Sequence, residues 1–146
     1  MGWALAILVA ATSHLAAPPV GAADIDDFHR LVFSTPLPQF ASAAERQQPP
    51  QFDWTTDWCS APLVGSSGRS FDFALPCRRH DFAYRNYWLR AAHGGPAWNA
   101  ELRAAIDDQF QRDLQLVCAK RRGSFRLRCD AWVIVFFHAV RITAGP

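Results

Sequence analysis

The chain has 146 residues, half of them hydrophobic, with four cysteines and a formal net charge of +2. That length suits one small domain with its own apolar core and argues against two. The charge is too mild to indicate a general affinity for nucleic acid, so none is expected as a partner.

Residues 1–22 contain no Lys, Arg, Asp or Glu; an apolar run, WALAILVAA, is followed by TSHLAAPPVGA. A secretory signal peptide is expected here, because the apolar run is short for a bilayer span and Pro18 and Pro19 break it before small residues suited to a peptidase. Cleavage near Ala22 or Ala23 would release an extracellular protein; a retained membrane anchor is the competing reading. In an oxidising compartment Cys59, Cys77, Cys118 and Cys129 read as two disulfides. Four cysteines allow three pairings, and joining neighbours would close two short loops, each stabilising the fold by about 3 kcal/mol. No C-x-x-C pair is present, which disfavours zinc.

Residues 23–51 are Pro- and Gln-rich around short helical pieces. DIDDFHRLVF places Ile25, Phe28, Leu31 and Val32 at helical spacing, with acidic residues in the first turn where the helix dipole favours them. STPLPQF ends that helix, and FASAAERQ forms another that stops at the following Pro pair. This segment is expected to pack over the core of a domain running from 52 to 146. QFDWTTDWC and SAPLVGSSGRS then read as loop, and the spacing of a serine-hydrolase elbow is absent from GSSG.

LPCRRHDFAYRNYWLRAA has helical periodicity, with Pro76 suited to a first turn and Gly94 with Gly95 to a stop. Cys77, His80, Asp81 and Tyr84 share one face of it, while Arg78, Arg79, Arg85 and Asn86 are expected to point elsewhere and meet water. A longer helix follows in AELRAAIDDQFQRDLQLVCAKR, with Ile106, Phe110, Leu114 and Val117 as its apolar stripe. Asp107 and Asp113 border the stripe on opposite sides and Asp108 points away, so geometry leaves 107 and 113 as rivals for an inward carboxylate. KRRGSFRLR, Lys120 to Arg128, reads as a basic loop between two cysteines, able to meet an anionic headgroup surface or simply to be solvated. CDAWVIVFFHAVRI is apolar nearly all round, and its length favours helix over strand. The fold class is therefore all-α, with two principal helices antiparallel across a short Gly-rich connection.

A lone histidine is more often structural than catalytic, but His80 and Asp81 have carboxylate-bearing neighbours. Were Cys59 joined to Cys77, Asp57 and the Trp58 carbonyl would lie near Asp81, and oxygen donors gathered in that way suit Ca²⁺. The plain alternatives are that Asp53 and Asp57 cap turns and that Asp107 pairs with an arginine.

FDWTTDWC, CRRHDFAYRNY, IDDQFQRDLQLVC and a last cysteine before AW resemble, in that order, the small two-disulfide secreted phospholipases A2 of bacteria and fungi. The resemblance covers residues 52 to about 142, departing from the family pattern in LVGSSGRS and at Ala83. It implies an α-helical fold, disulfides Cys59–Cys77 and Cys118–Cys129, His80 as catalytic base and Asp107 as the residue that orients it. It also implies Ca²⁺ on Asp57, the Trp58 carbonyl and Asp81. The implied reaction is hydrolysis of the sn-2 ester of a glycerophospholipid to a fatty acid and a lysophospholipid, by a monomer adsorbed to a membrane or micelle surface. A non-catalytic secreted module binding lipid or protein on the same scaffold is the alternative. A calcium-dependent phosphodiesterase is a third reading, with the basic stretch as its support.

Overall fold

The computed structural model describes residues 22–59 and 65–143; the expected leader, apart from Ala22, and residues 60–64 lie outside it. Its described residues form five helices and, beyond them, a single isolated bridge between Ser67 and Asp72. They are α1 (Ala22–Phe33), α2 (Leu37–Arg46), α3 (Ala74–Ala92), α4 (Ala100–Ala119) and α5 (Gly123–Thr143). The all-α expectation holds, and both disulfides join neighbouring cysteines, Cys59 with Cys77 and Cys118 with Cys129.

The helix ends follow from local chemistry. After α1 the amides of Ser34 and Thr35 fold back onto the Arg30 carbonyl at 2.9 and 2.8 Å, and Pro38 sits in the first turn of α2, where a missing N–H costs nothing. The Asp72 carboxylate accepts the Ala74 amide at the start of α3. At the other end Gly94 takes φ +82°, and the Gly95 amide reaches the Arg90 carbonyl at 2.8 Å. That left-handed step favours glycine. A Cβ on Gly95 would stand 2.9 Å from the Arg90 carbonyl oxygen, so both glycines of the stop are explained. Asn99 caps α4 by accepting the Leu102 amide at 2.8 Å.

α3 packs along α4 and also meets α1 and α2, α1 touches α4 as well, and α5 packs on α4. α4 runs antiparallel to α3, since Arg79 on α3 meets Asp113 and the later His80 meets Asp107. Two apolar clusters result. One joins Phe28, Val32, Phe40 and Ala44 to Trp54, Phe82 and Ile106; Phe82 stacks on Trp54 with centroids 4.3 Å apart. The other joins Phe73, Phe110, Leu114, Val133 and Phe136 to the cysteines of both disulfides. The segment expected to pack over the core thus places four of its side chains inside it. Phe82, Ala83 and Tyr87 of α3 close against the side chains from α1 and α2, with the polar Arg79 and Asn86 buried among the inward residues of the helix.

Two expectations about α3 are corrected. Arg79 is 3% exposed and Asn86 5%, so neither meets water. A helix enclosed on two sides has two inward faces, and the helical spacing that placed His80 inward indicated one of them. Arg79 forks onto both oxygens of Asp113 and also donates to the Thr35 carbonyl. Asn86 binds the amide and carbonyl of Asp53, each at 2.8 Å, fastening the 52–59 loop to α3. The basic stretch is corrected as well: Gly123 to Arg128 are the opening turns of α5, and residues 120–122 alone link α4 to α5.

Candidate active site

His80 projects from α3 toward α4, packed between the rings of Tyr84 and Phe110 at centroid distances of 4.5 and 4.7 Å. Its Nε2 meets Asp107 Oδ1 at 2.9 Å, and Asp107 is 1% exposed. A carboxylate there fixes the proton on Nε2 and leaves Nδ1 with the basic lone pair. Nδ1 has no protein partner among the described residues.

Both rivals on α4 point inward, and their partners on α3 separate them. Asp113 is occupied by Arg79, with Gln109 adding a hydrogen bond of 3.1 Å. Asp107 is left for the imidazole. It also accepts the Tyr84 hydroxyl at 2.8 Å and faces Arg141 Nε of α5 at 3.6 Å. Burial, together with the Asp107 charge, pushes the Tyr84 hydroxyl well above its ordinary range, so it remains a donor. Sequence reasoning placed Tyr84 on this face without a role and missed Arg141. Arg141 also pairs with Asp108 and donates to the Ala104 carbonyl at 3.3 Å. Its only sequence signal was a cation in the last turn of an otherwise apolar helix.

On the adjoining side of α3, the Asp81 carboxylate accepts the Thr56 hydroxyl at 2.5 Å and the Asp57 amide at 3.1 Å, both on Oδ2. The loop turns at Trp58, a non-glycine residue at φ +62°, where its amide donates to the Thr56 hydroxyl. Such backbone persists when its surroundings hold it, here the Cys59 disulfide and the anchor on Asp81. Burial, opposed by the Thr56 hydroxyl and reinforced by the Asp57 charge, pushes Asp81 up to about 6. Burial would raise Asp57 too, but its backbone bond and the neighbouring Asp81 and Arg85 outweigh this and hold it below its usual range. Asp57 keeps much of its side chain in solvent while Arg85 holds Oδ1 at 3.1 Å.

The three residues expected to hold a cation therefore lie together, and Asp53 is apart from them, bound into its own turn through Thr55. The carboxylates of Asp57 and Asp81, with the backbone of Trp58 next along the loop, make an all-oxygen donor set, which fits a hard divalent cation. Among the described residues no group of three or more His, Cys, Asp or Glu could hold a metal. Any ion here would rely on carbonyl and water oxygens for the rest of its shell. Of the tryptophans among the described residues, Trp54 is buried, Trp98 and Trp132 partly so, and Trp58 and Trp88 are exposed.

An imidazole backed by a buried carboxylate, on a disulfide-stapled pair of antiparallel helices beside an oxygen-rich loop, is an arrangement chemically suited to activating a water molecule. The family model described as prokaryotic phospholipase A2 matches residues 28–144, and the chain belongs to that family. Its enzymatic class is accordingly that of a phospholipase A2. A secretory phospholipase A2 of Beauveria bassiana (strain ARSEF 2860) is 33% identical over 97% of this chain and 68% of its own length. Another, of Arthroderma benhamiae (strain ATCC MYA-4681 / CBS 112371), is 32% identical over 92% of this chain and 86% of its own.

Because two protein groups besides His80 hold Asp107, losing one hydrogen bond should weaken the pair without disabling it. Tyr84→Phe is expected to lower kcat by about tenfold or less with little change in thermal stability. Steady-state hydrolysis and a melting curve together check this.

Proposed function

We propose that the protein is exported and acts outside the cell as a calcium-dependent phospholipase A2, with His80 as general base. The observation that carries this reading is the 2.9 Å contact between His80 Nε2 and the buried Asp107, with Asp81 beside His80 on α3 and Asp57 and Trp58 on the loop bound to it. The names of the relatives support export, which fits the leader expected over residues 1–22.

The chemistry follows from these groups. His80 Nδ1 takes a proton from a water molecule as that water attacks the sn-2 carbonyl carbon. Asp107 stabilises the imidazolium that forms and keeps the ring in register, while Tyr84 and Arg141 keep Asp107 from turning. The imidazolium then returns its proton to the departing glycerol oxygen as the carbon–oxygen bond breaks. Water is the nucleophile, so no acyl-enzyme forms. Asp57, Asp81 and the Trp58 carbonyl would hold Ca²⁺, whose chemistry when bound is electrostatic stabilisation of the ester oxygen as it gains charge. The products are a fatty acid and a lysophospholipid, and the enzyme works as a monomer adsorbed to its lipid substrate.

Chelation tests the cation. Excess chelator is expected to lower fatty-acid release by about 10²-fold to 10³-fold, with recovery on adding back Ca²⁺. Release that continues unchanged in chelator would remove the metal from this reading.

A further inference from the structure

α5 has two apolar faces. Cys129, Val133 and Phe136 point inward and are nearly or fully buried. On the opposite side Leu127 (73% exposed), Ile134 (58%), Val135 (51%) and Ile142 (81%) recur at spacings of seven, one and seven residues. At 100° per residue these four fall within one stripe, roughly 100° wide, along the outside of the helix. A soluble helix ordinarily carries polar side chains there, and no described part of the chain covers this stripe.

The charge distribution indicates what does. Lys120, Arg121, Arg122, Arg126 and Arg128 cluster at the end of the bundle where the stripe begins. Arg126 pairs with Asp130 at 2.7 Å, whereas the side chains of the other four have no acidic partner among the described residues. With a chain total of +2, the remainder of the protein is net acidic, so the positive charge is concentrated at this end. A basic head followed by an exposed apolar stripe suits a membrane surface, where cations meet headgroups and apolar side chains meet the acyl boundary. No helix among the described residues is long and apolar enough to cross a membrane, so the fit is to a surface.

We infer that the outer face of α5, headed by the basic 120–128 turn, docks the protein onto an anionic phospholipid surface. This rests on the phospholipase reading only for its purpose, delivering the enzyme to its substrate. The cations draw the protein to negatively charged headgroups, and Leu127, Ile134, Val135 and Ile142 enter the acyl boundary.

The test uses the full mature chain with vesicles of ether-linked lipid, which it cannot hydrolyse at the ester. One set is phosphatidylcholine alone and the other is phosphatidylcholine doped with phosphatidylglycerol. Wild type is expected to co-sediment with the anionic vesicles and to release from them as salt rises. Arg121→Gln with Arg122→Gln should weaken binding by roughly fivefold per cation removed. Leu127→Ser with Ile134→Ser should weaken it by about tenfold or more. All four positions are exposed, and hydrolysis of a short-chain phospholipid dispersed as monomers should be unchanged in both variants.

Equal binding of wild type and both variants would overturn the proposal. So would a wild-type dimer that the serine variants convert to monomer, with no preference for anionic vesicles; the stripe would then be a contact between two copies. If monomeric substrate were not cleaved, the enzyme reading would fall while vesicle binding still decided the docking surface.

Discussion

Replacing His80 by glutamine is expected to lower fatty-acid release by about 10³-fold, in the middle of the range for loss of a positioned general base. The substitution keeps a hydrogen-bonding group near Asp107 but removes the imidazole to which the proton transfer is assigned. His80 is 11% exposed and packed between Tyr84 and Phe110. Glutamine fits that space more readily than it fits the chemistry. Thermal denaturation should therefore move little while turnover nearly disappears. A variant that keeps its activity, or one that loses activity and fold together, would separate the ring from the role assigned to it.

The largest effect on stability is expected at the neighbouring position. Arg79 and Asp113 are 3% and 1% exposed, and the guanidinium meets both carboxylate oxygens. Such a pair need not be a net gain over an apolar pair of the same volume, because both charges leave water to form it. Breaking it from one side is different. Arg79→Met leaves Asp113 buried with Gln109 as its remaining side-chain partner and deprives the Thr35 carbonyl of its donor. The expected cost is about 3–5 kcal/mol, a large share of the stability of a domain this size. Arg79→Met combined with Asp113→Leu should recover much of that loss, since no unpaired charge remains. Chemical denaturation of the two variants and wild type measures it; equal destabilisation by the single and double substitutions would contradict the pairing.

The same ion pair shows where sequence reasoning stopped. The period of α3 and α4 and the glycine stop were legible because caps, proline and glycine act locally. His80 and Asp81 were legible because they sit beside one another on a periodic helix. The fate of Arg79 was not, because its carboxylate lies on α4, 34 residues away, and a helical period assigns direction without depth. The rivalry between Asp107 and Asp113 had the same origin. Both border the apolar stripe, and the choice depends on which α3 side chain stands opposite each, which the periodicity of α4 does not contain. The family resemblance supplied that choice in advance, and His80 and Arg79 now give its physical reason. Arg141 escaped notice because its partners lie 33 and more residues away on another helix. The opening of α5 was read as loop because its first turns extend beyond the core. Phe125 and Leu127 there have little to pack against and produce no buried stripe.

The most direct measurement follows a glycerophospholipid labelled in its sn-2 acyl chain through a single incubation with the protein and Ca²⁺. The expected result is label recovered as free fatty acid with an equal amount of lysophospholipid, and almost none of either from the His80→Gln protein. Label that instead remained in diacylglycerol or phosphatidic acid would mean that a phosphate ester, not the sn-2 ester, had been cleaved, contradicting the assignment of His80 and Asp107.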